Sequence, residues 1–255
     1  MRFPKRKIKI LEIIAQRGEA DVKVLAEELR TSEITVRRDL ALLAGEGLVL
    51  RTHGGAMKPE STRGPVGFEP KLATNLAQKQ YLARLAAAEI QDGEVIFLDC
   101  GSTVFQLCPF IKEKNIKVVT NSLPVVQALL GSRVSINLAG GELDQERQAV
   151  HGLLAEEHLH RYQADRAFVG VDGISAERGL SANSELEAGI TRAMIQNAQR
   201  TYLLCDASKL GRESYLQFAS LDQIHCLVTD ADAKTAQPFV DKGLRVLREA
   251  EENNV

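Results

Sequence analysis

The sequence predicts an α/β chain in two parts: a small helix-turn-helix head and a larger open body with a mainly parallel, Rossmann-like sheet. Three observations carry this reading. Three short amphipathic patterns precede residue 45, a stretch rich in proline and glycine interrupts the chain over 57–70, and short apolar runs then alternate with helical patterns. At 255 residues the chain has room for two domains, and 44% hydrophobic with 26% charged residues excludes disordered and fibrous classes.

Charge divides along the same line. Residues 1–58 hold 12 Lys/Arg against 8 Asp/Glu, a balance of +4, whereas residues 59–255 hold 20 against 26, a balance of −6. A basic head on an acidic body suggests a nucleic-acid module joined to a part with another ligand. The longest uncharged run, 118–132, spans 15 residues and includes Thr, Asn, Ser, Pro and Gln, so no membrane span is expected. The basic N-terminus MRFPKRKIKILEII has Lys9 and Glu12 among its apolar residues, unlike a signal peptide, and a cytoplasmic location is expected. Cys100, Cys108, Cys205 and Cys226 lack the close spacing of metal ligands and read as reduced, mostly buried side chains. No metal or cofactor is expected.

In the head, Ile8, Leu11 and Ala15 form a helical stripe that Gly18 ends. Val22, Leu25, Ala26 and Leu29 form a second stripe, and Val36, Leu40 and Leu43 a third, with Ser32 placed as N-cap of the third helix. Turning that last stripe inward puts Ile34 and Arg38 on the opposite face, flanked by Thr35 and Arg37. Such a face suits a major groove: Arg bonds guanine or phosphate, Thr bonds phosphate, and an apolar side chain meets a thymine methyl. The plainer alternative is a solvated face whose arginines pair with Glu33, Asp39 or Glu46. The segment GLVLRTHGGA over 47–56 reads as a hairpin with Arg51 and His53 in or near its turn, a wing that places Arg51 at the phosphate backbone.

The blocks SEITVRRDL (32–40) and GLVLRTHGGA (47–56) closely resemble the N-terminal signature of the DeoR family of bacterial transcriptional regulators. The resemblance implies a winged helix-turn-helix, and the helix face and wing read above give Ser32, Ile34, Thr35, Arg37, Arg38 and Arg51 as its DNA-binding candidates.

Beyond the interruption, strands are expected at Val95–Leu98, Lys117–Thr120, 134–139, 167–171, 202–205 and 226–229, with helices at 78–90, 103–111 and 187–198. Each of the first five strands runs into a polar or glycine-containing loop: DCGST at 99–103, TNS at 120–122, GGE at 140–142, DG at 172–173 and DASK at 206–209. In a parallel sheet these ends share one edge, where open α/β folds bind ligands. Gly101, Ser102 and Thr103 at a helix start suit a phosphate. Singly each loop has a plainer reading as a cap, a turn or an exposed lysine; their convergence favours a pocket.

DCGST, VVTNSL, AGGEL, FVGVDGIS, EAGITRAMI and LCDASKLGR resemble the sugar-phosphate-sensing domain of the same family, which is similar in turn to ribose-5-phosphate isomerase. The resemblance covers nearly the whole chain. It implies an effector pocket lined by Gly101, Ser102, Thr103, Asn121, Gly140, Gly141, Asp172, Glu187 and Lys209. Many family members carry a lysine where this chain has Thr191, which changes the local charge. The isomerase's catalytic glutamate also falls near Thr191, and its glycine-rich lysine segment is missing, so an isomerase-like enzyme is the disfavoured alternative. A partner-binding protein with no ligand in its pocket is a third reading.

The expected organisation is a DNA-binding domain at 1–57, a linker at 58–74 and a sensor domain at 75–255. The expected function is a repressor of a carbohydrate catabolism operon, not an enzyme, released from operator DNA by a phosphorylated sugar or sugar alcohol. One head offers few base contacts, so a homo-oligomer reading repeated half-sites is expected.

Overall fold

The computed structural model describes residues 3–17, 19–45, 49–52, 54–57 and 68–248. The chain divides into two compact units, Met1–Gly64 and Pro65–Val255. Gly18, Glu46, Gly47, His53 and most of the expected linker lie outside the described residues.

The first unit runs α1 (Phe3–Arg17), β1 (Glu19–Asp21), α2 (Val22–Glu28), α3 (Glu33–Gly45), β2 (Leu50–Arg51) and β3 (Gly55–Met57). Val22, Leu25, Ala26 and Leu29 pack with Val36, Leu40 and Leu43, so both stripes point inward as the spacing demands. The α1 stripe is corrected: Ile10 and Ile14 are buried, whereas Ile8 is 58% exposed. Apolar residues occupy several sides of α1, so periodicity alone leaves its rotation open. Arg6, Ile10 and Ile14 share a face at i, i+4 and i+8, and Arg6 pairs with Asp39 of α3.

Between α2 and α3 the chain turns sharply. Arg30 takes a left-handed conformation with φ of 49°, and the Thr31 N–H returns to the Ala26 carbonyl at 3.0 Å. Ser32 then caps α3, its hydroxyl accepting the Thr35 N–H at 3.3 Å. The wing is an antiparallel sheet in the order β1-β3-β2, with Arg51 opposite Ala56. Its third strand, β1, carries no signal in the sequence. Gly55 is required there, because a Cβ would lie 2.2 Å from the Ala20 carbonyl.

The second unit opens with α4 (Phe68–Ala73) and α5 (Leu76–Ala87), followed by β4 (Val95–Leu98), a 3₁₀ turn (Val104–Leu107) and α6 (Cys108–Ile111). Next come β5 (Lys117–Thr120), α7 (Leu123–Leu129), β6 (Ser135–Leu138), β7 (Glu142–Asp144), β8 (Ala149–His151), α8 (Leu153–Leu159) and β9 (Ala164–Val169). Then follow β10 (Gly173–Ser175), β11 (Gly179–Ala182), α9 (Glu185–Gln196), β12 (Ala198–Leu204), β13 (Leu216–Ala219), β14 (Cys226–Val228), α10 (Ala233–Asp241) and β15 (Arg245–Leu247). The presence of α4 corrects the sequence reading of 68–74 as linker: the Phe68 N–H donates to the Glu146 carbonyl, and Lys71 pairs with Asp172.

A seven-stranded parallel sheet in the order β15-β14-β12-β9-β4-β5-β6 forms the frame. Ile96 and Leu98 face a core built with α5, α6 and α7, while Phe97 faces another built with α8, α9 and α10. Burial on both faces is why these strands read as unbroken apolar runs. From β4 the order proceeds to β5 and β6 on one side, and from β9 to β12, β14 and β15 on the other. The ends of β4 and β9 therefore flank the switch point, where such sheets open a crevice. A small antiparallel sheet, β10-β11-β13, and a hairpin, β7-β8, complete the unit.

Candidate functional site

The exposed face of α3 retains the chemistry that its spacing implied. Ile34 is 79% exposed, and Arg37 and Arg38 are both exposed. Arg37 reaches Glu33 at 3.4 Å, and its carbonyl accepts Arg51 Nη1 at 3.3 Å, which ties the wing to the helix. Asp39 turns inward to Arg6 at 2.6 Å and is buried, so it does not neutralise Arg38. Ser32 and Thr35 share a hydroxyl contact at 2.9 Å at the helix start. Two exposed guanidinium groups and one exposed apolar side chain on a single helix face match what groove readers present.

In the second unit a polar cavity lies at the switch point. Asp99 organises its floor. One carboxylate oxygen accepts the Gly101 N–H and the other the Gly170 N–H, both at 2.6 Å, which staples the loops after β4 and β9 together. A Cβ at Gly101 would lie 2.8 Å from the first of those oxygens, so only glycine permits the approach. Burial pushes the Asp99 carboxyl up, and the two N–H donors oppose that shift.

Six of the expected effector residues, Gly101, Ser102, Thr103, Asp172, Glu187 and Lys209, line this cavity. Asn121, Gly140 and Gly141 do not. Asn121 is fully buried, its Nδ2 donating to the Val150 carbonyl at 3.0 Å. Gly140 and Gly141 follow β6, the sheet edge two strands from β4; the Gly140 N–H meets His158, and Gly141 packs against β8.

Two lining cations escaped the sequence reading. Lys71 of α4 meets Asp172 at 2.9 Å, and Arg147, in the turn of the β7-β8 hairpin, pairs with Glu187. With Lys209, whose Nζ donates to the Val171 carbonyl at 2.7 Å, they give the cavity three cationic side chains. Burial would raise the Asp172 carboxyl, but Lys71, the Asn183 N–H and Lys209 hold it below the ordinary range. Burial lowers Lys71, and Arg147 and Lys209 lower it further by repulsion while Asp172 opposes them.

Thr191 also lines the cavity, and Asp172 and Glu187 are each engaged by a cation. Burial, reinforced by Asp99, raises the Cys100 thiol to about 11, so it stays protonated at neutral pH.

A winged helix-turn-helix on the same chain as an α/β unit with a polar, cation-lined cavity at a parallel-sheet switch point has the make-up of a DNA-binding regulator. The family models agree: a DeoR-like helix-turn-helix domain matches residues 6–62, and a DeoR C terminal sensor domain matches 74–231. The chain belongs to the DeoR family of transcriptional regulators. It is 34% identical to the transcriptional regulator GlpR of Haloferax volcanii over 95% of this chain and 96% of that one. To the glycerol-3-phosphate regulon repressor of Escherichia coli it is 32% identical over 87% of this chain and 88% of that one. Ribose 5-phosphate isomerase A of Methanocaldococcus jannaschii overlaps 53% of this chain and 55% of its own at 21% identity, with a TM-score of 0.40. The family, GlpR and the glycerol-3-phosphate regulon repressor are transcriptional regulators rather than enzymes, and among the described residues no helix is long and apolar enough to cross a membrane.

Proposed function

We propose that this protein is a cytoplasmic, homo-oligomeric repressor of a carbohydrate catabolism operon, released from its operator when a phosphorylated sugar or sugar alcohol fills the cavity. The observation that carries the reading is the meeting of the 101–103 loop with Lys71, Arg147 and Lys209 around one space. Backbone N–H groups at a helix start and several cations suit a dianionic phosphoryl group. The flanking carboxylates Asp172 and Glu187 suit the hydroxyls of a polyol. In the head, Ile34, Arg37 and Arg38 enter the major groove, Ser32 and Thr35 sit at the phosphates beside the helix start, and Arg51 contacts the backbone from the wing. For the ligand to release DNA it must bind the free conformation more tightly than the DNA-bound one, and the coupling is reciprocal. A second copy supplies the second half-site.

Thermal denaturation with matched pairs of phosphorylated and free sugars tests the cavity assignment. A rise in melting temperature with phosphorylated members alone is expected. Equal shifts from both members of a pair would show that the cavity does not read the phosphate.

A further inference from the structure

Behind one wall of the cavity lies a second cluster of polar side chains. Cys100, two residues beyond β4, lines the cavity, and its Sγ stands 3.9 Å from Nε2 of His151, the last residue of β8. Asn121 directly follows β5, the strand that pairs with β4, and its side chain lies beside the Cys100 thiol. His151 and Asn121 are buried, at 2% and 0% exposure. The ends of three strands thus bring a thiol, an imidazole and a carboxamide together.

The cluster is incompletely bonded. Asn121 donates through Nδ2 to the Val150 carbonyl, but its Oδ1 has no hydrogen-bond partner among the described residues, and neither has Nδ1 of His151. Buried polar atoms are almost always hydrogen-bonded, so two such atoms in one cluster beside a cavity point to a partner that enters from that cavity. The cluster also carries no charge. Burial, reinforced by Asp99, keeps the thiol protonated, and burial with repulsion from Arg147 lowers the imidazole against the pull of Asp144, so it is neutral at neutral pH. A carboxamide, a thiol and a neutral imidazole suit a hydroxyl, which both donates and accepts, and offer a second phosphoryl group no counter-charge.

We infer that Cys100, Asn121 and His151 form a neutral inner subsite of the cavity that takes hydroxyl groups of the ligand, reached past the thiol by rotation about the Cys100 Cα–Cβ bond. The inference rests on the phosphate-binding reading above and narrows it: the ligand is a monophosphate whose other end is an uncharged polyol. The 101–103 loop and the lining cations hold the phosphoryl end, and hydroxyls supply the partners that Asn121 Oδ1 and His151 Nδ1 lack. A bisphosphate would bring a dianion into this subsite unpaired.

Calorimetric titration of the full chain tests this, with inorganic phosphate, the terminal monophosphates of straight-chain polyols of three to six carbons, and the corresponding terminal bisphosphates as probes. In the wild type at least one polyol monophosphate should bind about tenfold tighter than inorganic phosphate and than its own bisphosphate, the order of one or two neutral hydrogen bonds. His151→Leu should lose that gain while its affinity for inorganic phosphate stays as in the wild type. A wild type that binds no polyol monophosphate tighter than inorganic phosphate, or a bisphosphate as tightly as its monophosphate, would overturn the inference and leave the phosphate reading standing. So would a His151→Leu protein that keeps the gain, or that loses affinity for inorganic phosphate and polyol monophosphate equally. Binding of none of the probes by the wild type would overturn both. If His151→Leu fails to fold, Cys100→Val takes its place: it narrows the way past the thiol and is held to the same outcomes.

Discussion

Arg6 and Asp39 lock α1 to α3: the guanidinium donates to both carboxylate oxygens, at 2.6 and 3.0 Å, and Asp39 is almost wholly buried. The pair removes from the recognition helix a negative charge that would otherwise sit beside Arg38. It also fixes which face of α1 is turned inward.

Asp39→Ala should therefore destabilise the head by about 1.5 to 3 kcal/mol, the range for a hydrogen bond to a charged group, because Arg6 loses its carboxylate while three-dimensional packing holds it in place. Urea denaturation of the first unit is the check. A loss within about 0.5 kcal/mol, as for an ordinary surface change, would mean that the pair does not hold the two helices together.

Arg38 is exposed and makes no ion pair among the described residues. Arg38→Ala should weaken operator binding and flatten the slope of log affinity against log salt by about 1, with folding and effector binding unchanged. Operator affinity equal to the wild type at matched salt would remove Arg38 from the interface.

Lys209 donates to the Val171 carbonyl from within the cavity wall. A charge-assisted contact to a phosphoryl group contributes roughly 1.5 to 3 kcal/mol, so Lys209→Ala should need about ten to a hundred times more effector for half-release. Operator binding should persist, and in a cell the outcome is constitutive repression. A half-release concentration equal to the wild type would remove Lys209 from the ligand's contacts.

Glu89 tests the frame beneath the cavity. Its carboxylate accepts Arg245 at 2.8 and 3.1 Å and the Tyr202 hydroxyl at 2.9 Å, joining the end of α5 to the edge strand β15. Arg245 is the main cause holding its carboxyl down at about 2, against burial. A depressed carboxyl stabilises the fold fully above its ordinary pKa, and that contribution is lost as pH falls from about 4.5 to about 2. Glu89→Gln should remove that part of the acid slope of the unfolding free energy. An identical slope in both proteins would show that the pair does not titrate with folding.

The frame was legible where residues are buried on two sides. Phe97 and its neighbours Ile96 and Leu98 fill both cores, so β4 reads as an unbroken apolar run and its bounds agree with the sequence reading. The partly exposed edge strand β15 gives no such run, and the three-residue strands β7 and β8 are too short for alternation to register. The cavity was half legible for a related reason. Glycines and hydroxyls after strands mark a sheet edge, but Lys71 and Arg147 arrive from a short helix and a hairpin turn, where a charged residue ordinarily signals only solvent. The α3 face was read correctly because Val36, Leu40 and Leu43 fix its rotation; α1 had apolar residues on several sides and needed Arg6 to choose.

The proposed function requires that a phosphorylated sugar in the cavity release the head from DNA. Fluorescence anisotropy of the wild-type protein on its own promoter region, titrated with phosphorylated sugars and sugar alcohols and with each unphosphorylated counterpart, tests it most directly. Release by at least one phosphorylated compound and by none of the counterparts is the expected result. Anisotropy unmoved by every phosphorylated compound, or lowered equally by a free sugar, would contradict the account.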